Sequence, residues 1–213
     1  GFFQFTDDCF REEFLETVKQ ARELPDFTPI KVCEQWFAEA EPVPGFDKIT
    51  LGSYNVDYLY AKGAYEECIE CVRNTLSNMD KHNHQEREMV ETMARCACKI
   101  GDKQVAMEAL SILNDHHRVE EPGLSALKCK VYFQFGEHSV GLPHGVEYLR
   151  LRPNDFLMHI YIAQVYNDID QTIALNHYTQ AKQILLSFRR SEREIADTYL
   201  TIVENAIACI TSN

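Results

Sequence analysis

Two cysteines three residues apart, Cys68 and Cys71, have the spacing of half a zinc site or of a redox-active thiol pair. A structural zinc site needs a second pair with suitable spacing. Cys96 and Cys98 are only two residues apart, which on a helix directs their thiols to different faces. On a helix Cys68 also replaces the small residue that lets two helices pack closely. We therefore favour packing over metal or redox chemistry. Other possible ligands are four loop histidines, His82, His84, His116 and His117.

No motif for nucleophilic catalysis or phosphate binding is present in the sequence. It contains no Gly-x-Ser-x-Gly, no glycine-rich phosphate loop and no His-Glu-x-x-His. His138 and His144 flank a segment, Gly141–Pro143, that is irregular for a helix, and Asp155 follows nearby. Such an insertion can mark a functional loop, but we favour a length variation at a surface turn. We predict that the protein is not an enzyme and needs no cofactor.

The elements that would position any site are helices in a repeated pattern. A helix, a glycine turn and a second helix recur around Gly63, Gly101 and Gly136, at steps of 38 and 35 residues. One hairpin cannot bury its own apolar face, so neighbouring hairpins must stack on it. The pattern resembles the tetratricopeptide repeat (TPR), which has a period of about 34 residues. Repeats of this kind usually hold other molecules and carry out no chemistry themselves.

The predicted fold is all-α: a right-handed α-solenoid of about four TPR-like helical hairpins, with flanking N- and C-terminal helices. We expect a single superhelical domain over residues 1–213, because a solenoid grows by adding repeats. Residues 1–44 would hold N-terminal helices, one of them carrying Trp36, and a proline-bearing connector. Residues 45–190 would hold the hairpins, and residues 191–213 a capping helix.

Apolar periodicity predicts the helices of each hairpin. Gly141-Leu142-Pro143 is expected to interrupt the second helix of the third repeat. The fourth repeat opens near Asn154, and Ser191 and Glu194 have the spacing of a capping box for the last helix. The predicted bounds of the other helices are Leu51–Lys62, Tyr65–Leu76, Gln85–Ile100, Lys103–Leu113, Gly123–Phe135 and Gln171–Phe188.

The charge balance and the distribution of apolar residues exclude several classes of protein. The formal net charge is −12 and the pI about 5.1, the opposite of what phosphate neutralisation by a nucleic-acid binder requires. No apolar stretch approaches the roughly 18–20 residues that span a bilayer, and the first residues do not read as a secretory signal. Most of the eight cysteines fall at apolar helical positions, which indicates reduced thiols. We expect a soluble intracellular protein, cytoplasmic or nuclear, without a nucleic-acid or membrane partner.

Several short segments resemble an animal family that includes the human protein named for open reading frame 76 of chromosome 8. The similarity covers roughly residues 30–167. It implies a TPR-like protein without a recognised enzymatic signature, and it supplies no substrate, cofactor or binding residue. The segments that carry it are Cys33-Glu34-Gln35-Trp36-Phe37, Tyr65-Glu66-Glu67-Cys68, Ala94-Arg95-Cys96, Met107-Glu108-Ala109-Leu110 and Tyr148-Leu149-Arg150-Leu151-Arg152-Pro153.

In a TPR stack, the first helix of each hairpin lines the concave surface. Arg95 and Lys99 share a helix face, and Lys130 would lie on the adjacent repeat. Three cations beside aromatic rings in an acidic chain could bind an acidic or carboxylate-terminated peptide. The alternative is that these side chains are solvated and paired with Glu91 or other carboxylates. Alignment on the turn glycines also places Asp57 and Gln134 on this surface. The predicted groove residues are Tyr60, Glu91, Arg95, Lys99, Lys130, Phe133, Gln164 and Asn167.

The sequence therefore predicts a non-enzymatic scaffold or adaptor that binds a peptide or helical segment of another protein in this groove. One alternative is an obligate structural subunit of a larger complex, held through its convex face or its terminal helices. Further alternatives are a metal or thiol protein, and an RNA binder that uses the strip formed by Arg95, Lys99 and Lys130. The identity of the partner and the oligomeric state are not written in the sequence.

Overall fold

The computed structural model describes residues 48–79, 84–116, 121–188 and 193–212, and every regular element within these ranges is an α-helix. The predicted helices before residue 48, including the one with Trp36, and the predicted cap at Ser191 lie outside the described residues. The helices are α1 (Lys48–Lys62), α2 (Tyr65–Ser77), α3 (His84–Ile100), α4 (Lys103–His116), α5 (Pro122–Gln134), α6 (His138–Leu151), α7 (Phe156–Tyr166), α8 (Gln171–Phe188) and α9 (Arg193–Thr211).

The first three hairpins turn at the glycines that the repeat pattern identified. Gly63, Gly101 and Gly136 have φ angles of 81°, 76° and 78°, a left-handed conformation that glycine adopts without steric cost. At the first turn, the amide of Ala64 donates to the carbonyl of Leu59 at 3.0 Å. This is the bond of a Schellman motif, which satisfies the last carbonyls of a helix. The same glycine turn thus ends one helix and leads into the next.

Aspartates begin three of the later helices. The carboxylate of Asp102 accepts from the amide of Val105 at 3.0 Å, and that of Asp155 accepts from Met158 at 3.1 Å. Asp170 caps α8 in the same way, accepting from the amide of Thr172 at 2.9 Å. These bonds satisfy amides that have no partner within the helix and place a negative charge at the positive end of the helix dipole.

The described residues form two compact units, the first ending at residue 116 and the second beginning at residue 121. In the first unit, α1 packs on α2 and α3 packs on α4, while α2 and α1 both contact α3. In the second unit, α5 packs on α6 and α7 on α8, with α9 against α8 and α6 against α7. Each unit is thus built of consecutive helical hairpins. The prediction of a single continuous domain stays a prediction.

The apolar stripes that predicted the helices form the cores of both units. Met89, Met93 and Leu110 are fully buried in the first unit. Ile162 and Leu185 are fully buried in the second. Burial of a side chain of this size stabilises the folded state by roughly 1.5–3 kcal/mol relative to exposure. Stacking of hairpins is therefore maintained mainly by apolar burial.

An ion pair joins the second helices of the first two hairpins. Arg73 of α2 donates from Nη2 to Oε2 of Glu108 in α4 at 2.7 Å and from Nε to Oε1 at 3.4 Å. The two residues are 35 apart in sequence, which is about one repeat. Both side chains are about 40% exposed, so we expect the pair to contribute no more than about 1 kcal/mol. It nevertheless fixes which faces of the two helices meet.

The predicted interruption of the third repeat is wrong, because α6 runs without a break from His138 to Leu151. Pro143 is the sixth residue of this helix, so a single backbone bond, to the carbonyl of Ser139, is lost. Ser139 is exposed, and water can solvate its carbonyl. Gly141 and Gly145 are buried against other helices. These glycines serve close packing, and the expected loop does not form.

Gly145 provides a test of this packing. A Cβ atom at residue 145 would lie 2.9 Å from Sγ of Cys129 in α5 and 2.9 Å from Cδ1 of Ile162 in α7. We expect Gly145→Ala to lower the free energy of unfolding by about 1–3 kcal/mol, measured by urea denaturation.

The matched control is Gly123→Ala in α5, where a Cβ would meet nothing within 4 Å. This change should be neutral or stabilise by up to about 1 kcal/mol, because alanine restricts the unfolded chain. Equal stability of the two variants would contradict the packing role of Gly145.

Candidate functional site

A polar cavity of about 270 Å³ lies between the first helices of the first two hairpins. From α1 it is lined by Ser53 and Asp57, which are one turn apart and share a helix face. From α3 it is lined by Glu88, Glu91 and Arg95, with Thr92 between them. Acidic side chains therefore outnumber basic ones around this cavity. Alignment on the turn glycines predicts Asp57 on this surface, whereas Glu88 was not predicted.

Glu91 is the central charge of the cavity. Its Oε1 accepts from Nε of Arg87 at 2.9 Å, and its Oε2 accepts from Nη2 of Arg95 at 3.2 Å. The Glu91 side chain is 14% exposed and that of Arg95 is 44% exposed. One mostly buried carboxylate thus holds two guanidinium groups with charge-assisted hydrogen bonds. This is the pairing with Glu91 that the sequence left open as an alternative.

Tyr60 and Lys99, the other predicted groove residues of the first unit, lie apart from that pair. Lys99 is exposed in the last turn of α3, where a cation interacts favourably with the helix dipole. Tyr60 is half-buried, and its ring centroid lies 5.8 Å from that of Tyr65 in α2. Tyr60 therefore contributes to the hairpin turn as well as to the surface.

In the second unit, Lys130, Gln164 and Asn167 have surface positions. Lys130 of α5 is exposed, and its Nζ lies 6.0 Å from the ring centroid of Tyr161 in α7. This is the outer limit of a cation–π contact. Gln164 is exposed, and half-buried Asn167 donates from Nδ2 to the carboxylate of Asp168 at 3.1 Å. The first helices of this unit therefore present Lys130, and Gln164 lies at the surface near the end of α7.

Phe133 is the predicted groove residue that the structure corrects. It is 4% exposed and belongs to the apolar core of the second unit. Its ring lies 5.9 Å from the rings of Tyr161 and Tyr166. Gly141 of α6 lies so close that a Cβ there would be 2.6 Å from the Phe133 ring. An aromatic ring packed this tightly is not available to a partner, so Phe133 is a core residue.

His159 and His177 form a buried pair that the sequence did not reveal. They lie on α7 and α8, are 9% and 7% exposed, and their Nδ1 atoms are 2.9 Å apart. One imidazole donates and the other accepts, so the accepting ring must be neutral and both rings cannot be protonated together. Burial lowers the pKa of both, and that of His159 falls to about 4 although Asp155 opposes the shift. Their separation of 18 residues gives no periodic signal in the sequence.

The histidines of the third repeat have structural surroundings. His138 packs against Phe133 at 5.8 Å between ring centroids, and His144 stacks on Tyr132 at 5.6 Å. Asp155 caps α7 and also accepts a hydrogen bond from the hydroxyl of Tyr148. His138, His144 and Asp155, the three residues considered for chemistry in this region, therefore serve packing and helix capping.

The thiols of Cys68 and Cys71 bond to the backbone of α1. The Cys68 thiol donates to the carbonyl of Val56 at 3.4 Å, and that of Cys71 to the carbonyl of Gly52 at 3.8 Å. The adjacent Cys96 thiol and burial both raise the pKa of Cys68, and burial raises the pKa of Cys71. A neutral thiol is a poor nucleophile and a poor metal ligand. Within the described ranges, no group of three or more His, Cys, Asp or Glu side chains could hold a metal ion.

No helix in the described part of the chain is long and apolar enough to cross a membrane.

Hairpins turning at left-handed glycines, stacked through apolar cores and without strands in the described residues, define an all-α solenoid of TPR-like hairpins. The predicted fold class is therefore confirmed. The structure is similar to MamA, a TPR-like helical repeat protein.

For MamA from MSR-1, in crystal form C2, the TM-score is 0.61 at 14% sequence identity, over 82% of this chain and 94% of that one. For MamA from AMB-1, in form C2221, the TM-score is 0.58 at 13% identity, over 81% of this chain and 99% of that one. No family model and no curated protein matches the chain. The similarity to the chromosome 8 reading-frame family therefore stays a prediction.

Thiol reactivity tests the packing role of the cysteines. Cys209 is exposed, whereas Cys68, Cys96 and Cys129 are fully buried, and burial raises the pKa of Cys129 to about 12. At about pH 8, we expect a disulfide reagent to modify Cys209 rapidly and these three only on unfolding. Peptide mass spectrometry after timed labelling measures this, with Cys209→Ser as the control. Rapid native labelling of Cys68 would contradict the assignment.

The buried histidine pair predicts acid sensitivity. The pKa of each ring is lower in the folded state than its ordinary value of about 6.5, so the unfolded state binds more protons below that pH. The stabilisation is complete above about pH 6.5 and is lost as the pH falls towards 4, by at most about 1.4 kcal/mol per pH unit for each ring.

Urea denaturation at several pH values measures this slope. The double variant His159→Leu/His177→Leu should show a shallower dependence between about pH 6.5 and 4. An unchanged slope in the variant would assign the acid sensitivity to other groups.

Proposed function

We propose that this chain is a non-enzymatic scaffold or adaptor that binds a peptide or helical segment of another protein along the first helices of its hairpins. The observation that carries the proposal is the polar cavity between α1 and α3, which lies between the first helices of two stacked hairpins. In TPR-like folds these helices line the concave binding surface. The similarity to MamA is consistent with a scaffold.

The residues proposed to contact the partner are those with accessible polar atoms. Arg95 is 44% exposed and Lys99 lies one turn further along the same face of α3. Tyr60 is the aromatic residue of the set in the first unit. In the second unit, taken by itself, the proposed residues are Lys130, Gln164 and Asn167. Phe133 is removed from the set because it is buried.

The charge of the partner can be considered from the ion pair with Glu91 that Arg95 would give up on binding. A carboxylate of an acidic peptide would compete with Glu91 for the Arg95 guanidinium. Because Glu91 also pairs with Arg87, it keeps a cationic partner if Arg95 turns outward. Releasing Arg95 to an acidic ligand therefore leaves no buried carboxylate unpaired, which removes one cost of binding an acidic segment.

The state of the cysteines supports an intracellular location. The six cysteines of the described ranges are free thiols, which suits a reducing compartment such as the cytoplasm or nucleus. The formal net charge of −12 supports a protein partner over a nucleic acid.

The experiment is affinity capture from cell extract with wild-type protein and an Arg95→Glu/Lys99→Glu variant, with captured proteins identified by mass spectrometry. The variant should lose its partner at least tenfold, because two attractive charges become repulsive. Its free energy of unfolding should fall by roughly 1–3 kcal/mol, because Arg95→Glu removes one of the two cationic partners of the mostly buried Glu91. Urea denaturation checks that the variant remains folded.

The matched control is Arg150→Glu/Lys182→Glu, which changes the net charge by the same amount on the second helices α6 and α8. A protein lost from the first variant and retained by the control is the groove partner. Equal capture by all three would place the interface on the convex face or the terminal helices. The reciprocal variant Asp57→Asn/Glu88→Gln should retain an acidic partner, whereas its loss would indicate a basic one.

A further inference from the structure

Helix α9 carries two apolar stripes. The first is buried, and the second is only partly covered, because Tyr199 and Ala206 also pack against the core of the second unit and the Tyr199 ring centroid lies 5.2 Å from that of Phe156. Ala196, Leu200 and Val203 are buried in the core of the second unit. On a neighbouring face Ile195 is 53% exposed and Ile202 is 45% exposed. Between these two isoleucines and beyond them lie half-buried Tyr199 and Ala206, followed by exposed Cys209.

The partly covered stripe has the spacing of a helix-pairing seam. Ile195, Tyr199, Ile202 and Ala206 are separated by four, three and four residues, which is the alternation of the a and d positions of a heptad. Such a seam inserts its side chains between those of a facing helix. Its natural partner is therefore another helix, and not an extended peptide.

We propose that this face pairs with α9 of a second copy of the chain, in an antiparallel, two-fold symmetric dimer. The spacing of four, three and four residues is the same in both chain directions. An antiparallel second copy therefore places one residue of its own stripe opposite each of these four. Ile195 would face Ala206 of the second copy, and Tyr199 would face Ile202. Each contact occurs twice, as a two-fold axis requires. Large side chains then face small or complementary ones in every layer.

The distribution of charge along α9 favours a second copy over a charged partner helix. Exposed Thr198 and Asn205, which are uncharged, flank the stripe. At 100° per residue, Asp197 and Glu204 lie 140° and 160° around the helix from Ile202, and Glu204 pairs with Lys182 of α8 at 2.9 Å. The acidic residues of α9 therefore point away from the seam, apart from Glu194 at one end.

Glu194 does not oppose the antiparallel arrangement. Its counterpart in the second copy would lie 13 residues further along the paired helices, or roughly 20 Å away. Like charges at that separation are screened at physiological ionic strength, where the Debye length is about 8 Å. A basic partner helix would find few carboxylates beside the seam. The uncharged flanks thus fit self-association of a chain whose net charge is −12.

The test is the oligomeric state of the full chain, measured by sedimentation equilibrium over the micromolar range. We expect a reversible dimer, and Ile202→Glu should weaken it at least tenfold by placing charges in an apolar seam. The control is Leu186→Glu on α8, where the native leucine is equally exposed at 46%. This control should leave the dimer intact. A monomeric wild type, or equal effects of the two variants, would overturn the proposal.

Cross-linking tests the antiparallel register in a Cys209→Ser background. Ile195→Cys combined with Ala206→Cys should give a disulfide-linked dimer with oxidised glutathione, each new disulfide releasing two equivalents of reduced glutathione. The two residues are about 16 Å apart on one helix, so this bond forms only between copies. Ile195→Cys alone should not cross-link. Equal cross-linking by the single variant would indicate a parallel pair and overturn the register.

The dimer is independent of the proposed groove. Arg95→Glu/Lys99→Glu should dimerise like the wild type, since α3 lies in the first unit. Circular dichroism and thermal melting confirm that each variant is folded. Loss of dimerisation in Ile202→Glu with a native melting curve is therefore assigned to the seam.

Discussion

The stacking of these helices depends on how closely the two helices of a hairpin can approach one another. Ala94, Ala97, Ala106 and Ala109 are all fully buried, and Gly145 has no room for a single methyl group. Small residues at such positions bring the helix backbones together and let larger side chains interdigitate around them. This close approach leaves the outer faces of the first helices free to carry polar residues.

The sequence contained enough information for the fold because its main signals are local. The glycines at 63, 101 and 136 and the apolar stripes between them depend on neighbours within one or two turns. Gly141 was misread because a glycine within a helix has two physical uses, breaking the helix or admitting another side chain. The ring that it admits belongs to Phe133 on a different helix. Which use applies is decided by packing that the sequence does not display.

The contacts of the candidate site were predictable from the sequence where both residues lie on one helix. Arg95 and Glu91 are four residues apart on one helix, so their contact could be anticipated. Asp57 was predicted on the same surface from the turn glycines, whereas Glu88 became visible only where α1 and α3 lie side by side. His159 and His177 meet across two helices, and no spacing rule brings them together. Contacts within a helix are thus readable from sequence, whereas contacts between helices become visible only in the assembled hairpins.

The ion pairs of the cavity bear on how a scaffold of this kind discriminates between partners. Arg87, Glu91 and Arg95 already satisfy one another. A ligand that replaces one of these contacts gains only the difference in free energy between its own interaction and the one that it replaces. Charges of this kind tend to affect the rate of encounter and the choice of partner more than the final affinity. Affinity would then come from the extent of the surface covered.

The ion pair between Arg73 and Glu108 depends on the number of residues that separate them. Arg73 lies ten residues after Gly63 and Glu108 seven residues after Gly101, so they occupy places about one helical turn apart in successive hairpins. Inserting a single residue within α3 or at the start of α4 would rotate the following residues of that helix by about 100° around its axis. Glu108 would then no longer face Arg73. Added residues can be absorbed where two helices are joined. We therefore expect insertions and deletions in related sequences to fall between the helices. The helices themselves should keep a constant number of residues.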